Sequence, residues 1–200
     1  MAKLYNISAA QAAALLSKDK GVDKTALTNA ESRLGISFPQ ALEELYLACS
    51  GFDIGAKSRV FAPSYISRLD AEDTAFIIGT SGDRLACIFS RDLLDDDPVV
   101  YLGTLTGRSL DFSVNQKLSS FLSWVVFEAV TEIRGEVVGV DDKGEIEELA
   151  KKLSFDLSKL TDGSADSCII SLDDETGELV FTNTDNSGNV AVMVVVGTKS

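Results

Sequence analysis

Apolar residues recur at two different spacings along this chain, and the change from one to the other divides it. In the first 50 residues, and again from 118 to 133, they return every three or four positions, the helical period. Between those stretches, and after residue 167, they come in short runs bounded by Gly, Asp, Asn and Pro, as strands and turns do. Ser8 with Gln11 three residues later forms a capping-box pattern and predicts a first helix over residues 8–16. A polar turn follows. Leu27, Ala30 and Leu34 then share one helical face. Gly35 comes next as the residue that ends a helix in the left-handed conformation. Pro39 suits the first turn of another helix, where its missing N–H breaks no bond. Leu42, Leu45, Tyr46 and Cys49 continue at helical spacing, and Gly51 closes the unit. The pattern predicts two helices meeting at a corner over residues 25–50.

Short strands are predicted over 60–62, 76–78, 85–89 and 99–102, with a weaker one over 110–113. Ser81-Gly82-Asp83 reads as a tight hairpin turn between two of them. Leu118, Phe121, Leu122, Val125, Val126, Ala129, Val130 and Ile133 form a broad apolar stripe, predicting a long helix over 118–133 that packs on the sheet. Trp124 falls at the edge of that stripe, where a half-buried position is expected. Beyond it, Glu147 and Glu148 precede Lys151 and Lys152 by four residues in a predicted helix over 145–153. Strands are expected over 168–172, 178–182 and 190–196, with 173–177 as a hairpin link between the first two. The last is almost wholly apolar, so it should be covered on both faces. The tail is therefore expected to dock on the main domain or on another chain. The fold class is α+β: N-terminal helices and an αα-corner on a mainly antiparallel sheet with a closing helix, plus a β-rich extension. The expected division is 1–134 and 135–200.

Charge sharpens this division. The chain has 200 residues and a net charge of −13. Residues 1–134 carry 13 basic and 17 acidic side chains, and residues 135–200 carry 5 and 14. Such a surface repels nucleic acid and anionic membrane and favours basic partners, although plain solubility accounts for an acidic composition equally well. No apolar run reaches the roughly 18 residues of a membrane span, and the first 16 residues do not read as a signal peptide. Cys49, Cys87 and Cys168 are scattered among apolar neighbours, which suits buried, reduced thiols in the cytoplasm.

The chain lacks histidine altogether, so Ser-His and Cys-His dyads and the common His-containing zinc sites are excluded. It has no C-x-x-C spacing, phosphate-binding P-loop or dinucleotide-binding glycine motif. Acidic clusters remain, at Asp92, Asp95, Asp96 and Asp97 and at Asp141-Asp142, but neither has the spacing of a calcium loop. Paired carboxylates could serve hydrolytic chemistry, yet no polar and aromatic pocket residues accompany them. The expectation is no catalytic residue, no metal and no cofactor.

The segment from Glu31 to Phe52 resembles the SUKH superfamily, named for a fungal cell-wall-synthesis regulator and its bacterial relatives. Glu31, Leu34, Gly35, Pro39, Tyr46 and Gly51 match its pattern, while Phe38 replaces an aliphatic residue and Ser50 stands where Asn is common. Ile78-Gly79, Gly82-Asp83 with residues 85–89, Val100-Tyr101-Leu102 and the helix over 118–130 extend the resemblance to residues 24–133. The resemblance implies a binding protein: bacterial members are typically cytoplasmic immunity proteins that block the active site of a cognate toxin, often a nuclease. A scaffold or regulatory role, as in the fungal members, is the alternative. A carboxylate enzyme of unrecognised type is a third reading. Charge and expected exposure, not the motif, nominate the partner-binding residues: Asp92, Asp95, Asp96 and Asp97, with Asp53, Glu72 and Asp83 as neighbours. Asp173, Asp174 and Glu175 are a second choice, and a solvated loop is the alternative for each cluster.

Overall fold

The computed structural model describes residues 9–15, 21–54, 57–69, 74–106, 109–134, 137–140, 143–152, 168–172, 179–184 and 190–195. Helix α1 (Ala9–Leu15) packs against α3 (Gln40–Ala48), with α2 (Lys24–Leu34) between them in sequence. Helix α2 begins where the Asp23 carboxylate accepts the Ala26 N–H at 2.7 Å, satisfying one of the donors a helix start leaves open. It ends at Gly35, whose φ of 70° lets the N–H groups of Gly35 and Ile36 both reach the Glu31 carbonyl, at 2.7 and 3.1 Å.

The Glu31 carboxylate also accepts the Phe38 N–H at 2.8 Å, across the corner. One residue thus holds the outgoing chain at both main chain and side chain, which explains an acid at that position. Pro39 is the cap of α3 rather than its first helical residue, and its carbonyl accepts from Leu42 and Glu43. Arg33 then ties the corner to a short 3-10 turn, Pro63–Tyr65, donating to the carbonyls of Pro63 and Ile66 at 3.1 Å each. Tyr46 is wholly buried against Phe38, and its hydroxyl has no partner among the described residues. Burial, and secondarily Cys49, push its phenol well above the usual range.

The main sheet contains β1 (Phe52–Ile54), β2 (Ser58–Val60), β3 (Ser67–Leu69), β4 (Ala75–Ser81), β5 (Arg84–Phe89), β6 (Val99–Thr106) and β7 (Ser109–Lys117). Its order is β1-β2-β4-β5-β6-β7, with β3 also paired to β4, and every described pairing is antiparallel. Strand β7 has nine residues where the sequence suggests four. Ser113 is an extra residue there, a bulge that interrupts the alternation by which strands are read. Strands β1 and β3 are too short, at three residues each, for their period to show.

Val60, Phe76, Ile78, Ala86, Ile88, Val100 and Leu102 line one face of this sheet and bury against the helices. Helix α4 (Leu118–Arg134) crosses there and also meets a second antiparallel sheet, ordered β8 (Val137–Val140), β11 (Val190–Val195), β10 (Leu179–Thr184) and β9 (Cys168–Leu172). Phe181 of β10 is fully buried in the main core, its ring stacked on Phe127 at 4.6 Å and 5.4 Å from Trp124. Contact on two sides explains why Ser119, Ser120 and Ser123 of α4 are buried alongside the apolar stripe, while Ile133 near its end is not. Helix α5 (Lys143–Lys152) packs on β11. No helix among the described residues is long and apolar enough to cross a membrane.

Candidate functional site

The loop from β5 to β6, residues 90–98, is built from two successive tight turns. The Asp92 N–H donates to the Phe89 carbonyl at 3.0 Å, and the Asp95 N–H donates to the Asp92 carbonyl at 3.1 Å. Leu93 turns inward and packs on the main core, whereas its neighbour Leu94 is 95% exposed. Asp95 and Asp96 are exposed beside it. A large apolar side chain held almost entirely in water, with two carboxylates adjoining it, forms the tip of the loop.

Both ends of the loop are fixed. At its start, the Ser90 N–H donates to the Thr74 carbonyl at 2.9 Å, and the Arg91 guanidinium lies 4.5 Å from the centre of the Phe89 ring. At its end, Asp97 accepts from the Ser119 N–H at 2.9 Å and from the Ser119 hydroxyl at 2.5 Å. Lys117 donates to the Asp97 carbonyl at 3.0 Å, and the Leu118 N–H to the Pro98 carbonyl at 2.8 Å. The loop therefore supplies the cap of α4 from 22 positions upstream. A tip held this way loses little conformational freedom on binding.

The four loop aspartates consequently differ in role. Asp95 and Asp96 face solvent; Asp97 is half-buried and committed to α4. The Asp92 side chain is 18% exposed, with Oδ1 3.9 Å from Arg91 and a buried Oδ2 that has no hydrogen-bond partner among the described residues. The other nominated residues do not join them. Asp83 is exposed in the β4–β5 turn, at the opposite end of β5 from the loop, and a strand of that length spans roughly 17–20 Å. Asp53 lies on edge strand β1 opposite Arg59, which in turn pairs Thr80 near the Asp83 end. The expectation of Asp53 and Asp83 as neighbours of the loop is corrected: an antiparallel hairpin carries its turn and its far loop to opposite ends of the strands. Glu72 lies outside the described residues, as do Asp173, Asp174 and Glu175.

Beside the loop, the outer face of the sheet carries an aromatic trio. Phe89, Tyr101 and Phe112 meet edge to face, with centroids 4.9 to 5.5 Å apart. Phe112 pairs Gly103, and a Cβ on that glycine would stand 2.9 Å from the Phe112 ring. Phe112 remains 40% exposed, whereas Phe89 is buried. Leu94 and this trio were missed by a reading that looked for charge, because exposure of an apolar residue leaves no mark in the sequence. Asp97 in its capping role was missed because its partner is remote in sequence.

Elsewhere, an open groove of about 530 Å³ is lined by Gly51, Arg59, Phe61 and Tyr65 among others. A smaller cavity of about 200 Å³ lies beside α4. Among the described residues, no group of three or more His, Cys, Asp or Glu is placed to hold a metal ion. Comparison of the chain with protein-family models, with curated proteins and with solved structures finds no match in any of the three.

Proposed function

We propose that this chain is an immunity-type binding protein that captures a basic protein toxin in the cytoplasm and blocks its active site. A nuclease is the toxin class that suits it best, since an enzyme that grips a phosphate backbone presents cationic side chains around its active site. The observation that carries the reading is the tip of the β5–β6 loop: Leu94, exposed and apolar, beside exposed Asp95 and Asp96, on a loop fixed at both ends. The carboxylates and the net charge of −13 speed encounter with a basic partner, and Leu94 gives the docked partner an anchor to bury. The immunity role is what the SUKH resemblance of residues 24–133 implies, and the loop supplies a surface suited to it. A basic toxin domain should be encoded beside this chain; expression of the chain should protect cells from that toxin, and the two proteins should co-elute on gel filtration. Failure of both with that toxin domain would discard the proposal.

A further inference from the structure

The two faces of helix α4 differ in chemistry. Leu118, Phe121, Leu122, Val125, Val126 and Val130 are fully buried in the main core. Ser120, Ser123, Trp124, Phe127 and Glu128 follow one another at three and four residues along the other side of the helix. Trp124 and Phe127 meet Phe181 of β10 there, so this is the face that the second sheet covers. The cover fits imperfectly. The buried Ser123 hydroxyl and the buried Oε2 of Glu128 have no hydrogen-bond partner among the described residues. Such groups weaken a closed seam, because water satisfies them once it opens. A cavity of about 200 Å³ also remains among α4, the start of β2 and Met193 of β11, where a tightly packed interior leaves few voids larger than a water molecule.

Connectivity lets this cover move as a unit. Among the described residues no strand of the second sheet pairs with the main sheet, so no main-chain ladder joins the two. Its strands and α5 all follow α4 in sequence, and residues 135–136 alone separate Arg134 from Val137. The sheet can therefore leave α4 with one crossing of the chain and nothing to unthread. Its own strand pairings involve neither α4 nor the main sheet. We infer that the second sheet and α5 form a lid that swings off α4 while the main sheet stays folded, uncovering Ser123 and Phe127. Phe181 is the latch, the fully buried side chain by which the lid enters the main core. Charge biases the lid toward opening. Residues 1–134, with 13 basic and 17 acidic side chains, are net −4, and residues 135–200, with 5 and 14, are net −9. Two bodies of like charge part more readily at low salt.

Thiol labelling of the full-length protein tests the lid without any toxin, so its outcome is independent of the role proposed for the β5–β6 loop. Ser123→Cys places a thiol of similar size at the covered face, and the buried Cys49 and Cys87 report on the main core and the main sheet of the same molecule. A neutral maleimide is applied at urea concentrations below the unfolding transition, and mass spectrometry of the digested protein follows each position. Position 123 should react at least about a hundredfold faster than Cys49 and Cys87, with a shallower dependence on urea, since its opening exposes less surface than global unfolding does. Phe181→Ala in that background should speed labelling at 123 by about a hundredfold or more and leave Cys49 and Cys87 slow. Phe181→Leu, with a change of about tenfold, serves if the alanine variant does not fold. Raising salt from about 0.01 to 0.5 M should slow labelling at 123 several-fold. One rate and one urea dependence for all three positions would overturn the inference, as would labelling at 123 that neither a Phe181 variant nor salt alters.

Discussion

Asp97 holds Ser119 by both main chain and side chain, its two carboxylate oxygens taking the amide and hydroxyl protons at 2.9 and 2.5 Å. One contact thereby joins the loop that carries the proposed interface to the helix on which both sheets pack. It also separates two kinds of acid within a single run of sequence, the structural Asp97 and the exposed Asp95 and Asp96.

Removal of the cap should be costly and removal of its neighbours should not. Asp97→Ala is expected to lower stability by about 1–2 kcal/mol, the usual range for a lost helix cap. Asp95→Ala and Asp96→Ala should each stay within about 0.5 kcal/mol of the parent. Urea unfolding followed by far-UV circular dichroism compares them; three equal midpoints would mean that the Asp97–Ser119 contact contributes nothing.

Phe181 joins the second sheet to the core through Phe127 and Trp124. Phe181→Ala should cost about 3–5 kcal/mol, as truncation of a fully buried aromatic does. The Trp124 emission should shift to the red as water reaches the indole. An unshifted spectrum with little loss of stability would show that the β8–β11 sheet does not share the core.

Gly103 and Phe112 should be energetically coupled. A Cβ at position 103 would crowd the Phe112 ring and the Asp111 carbonyl, so Gly103→Ala is expected to cost about 1–3 kcal/mol. In a Phe112→Ala background that cost should fall, leaving only the backbone contact. A double-mutant cycle with no coupling energy would place the ring elsewhere.

Burial pushes the Cys87 thiol up from its ordinary 9.0 to about 11. The unfolded chain therefore releases that proton first. Below pH about 9 both states hold it and stability is level; between about 9 and 11 the unfolded state gains, and stability falls by up to about 2–3 kcal/mol. Cys87→Ala should flatten this part of the stability–pH curve relative to the parent. An unchanged slope in the variant would assign the alkaline loss to other groups.

Much of the architecture was legible because it is written in local spacing. The corner at Gly35, the stripe on α4, the turn at Gly82-Asp83 and the class of fold all follow from period and from residues with special backbone freedom. What escaped depends on partners far apart in sequence or on very short pairing. Strands β1 and β3 exist because β2 and β4 pair with them, and β7 is extended past a bulge that hides its alternation. The arrangement of the nominated residues was only partly legible for the same reason. Charge drew attention to the β5–β6 loop, but a run of aspartates does not say that Asp97 caps a helix, that Asp92 turns inward, or that Leu94 faces water. Nor could it say that Asp53 and Asp83 lie toward the other ends of the strands.

The most direct test of the proposed function is the association rate with the proposed basic toxin domain, measured by stopped flow over a range of salt concentrations. The parent protein should associate quickly at low salt and slow steeply as salt rises. The double variant Asp95→Lys/Asp96→Lys, which leaves the Asp97 cap intact, should associate at least about tenfold more slowly and with a shallower salt dependence. Leu94→Ala should act instead on dissociation, raising it by about tenfold or more. Association and dissociation rates unchanged in both variants would contradict the assignment of this loop as the surface that captures the toxin.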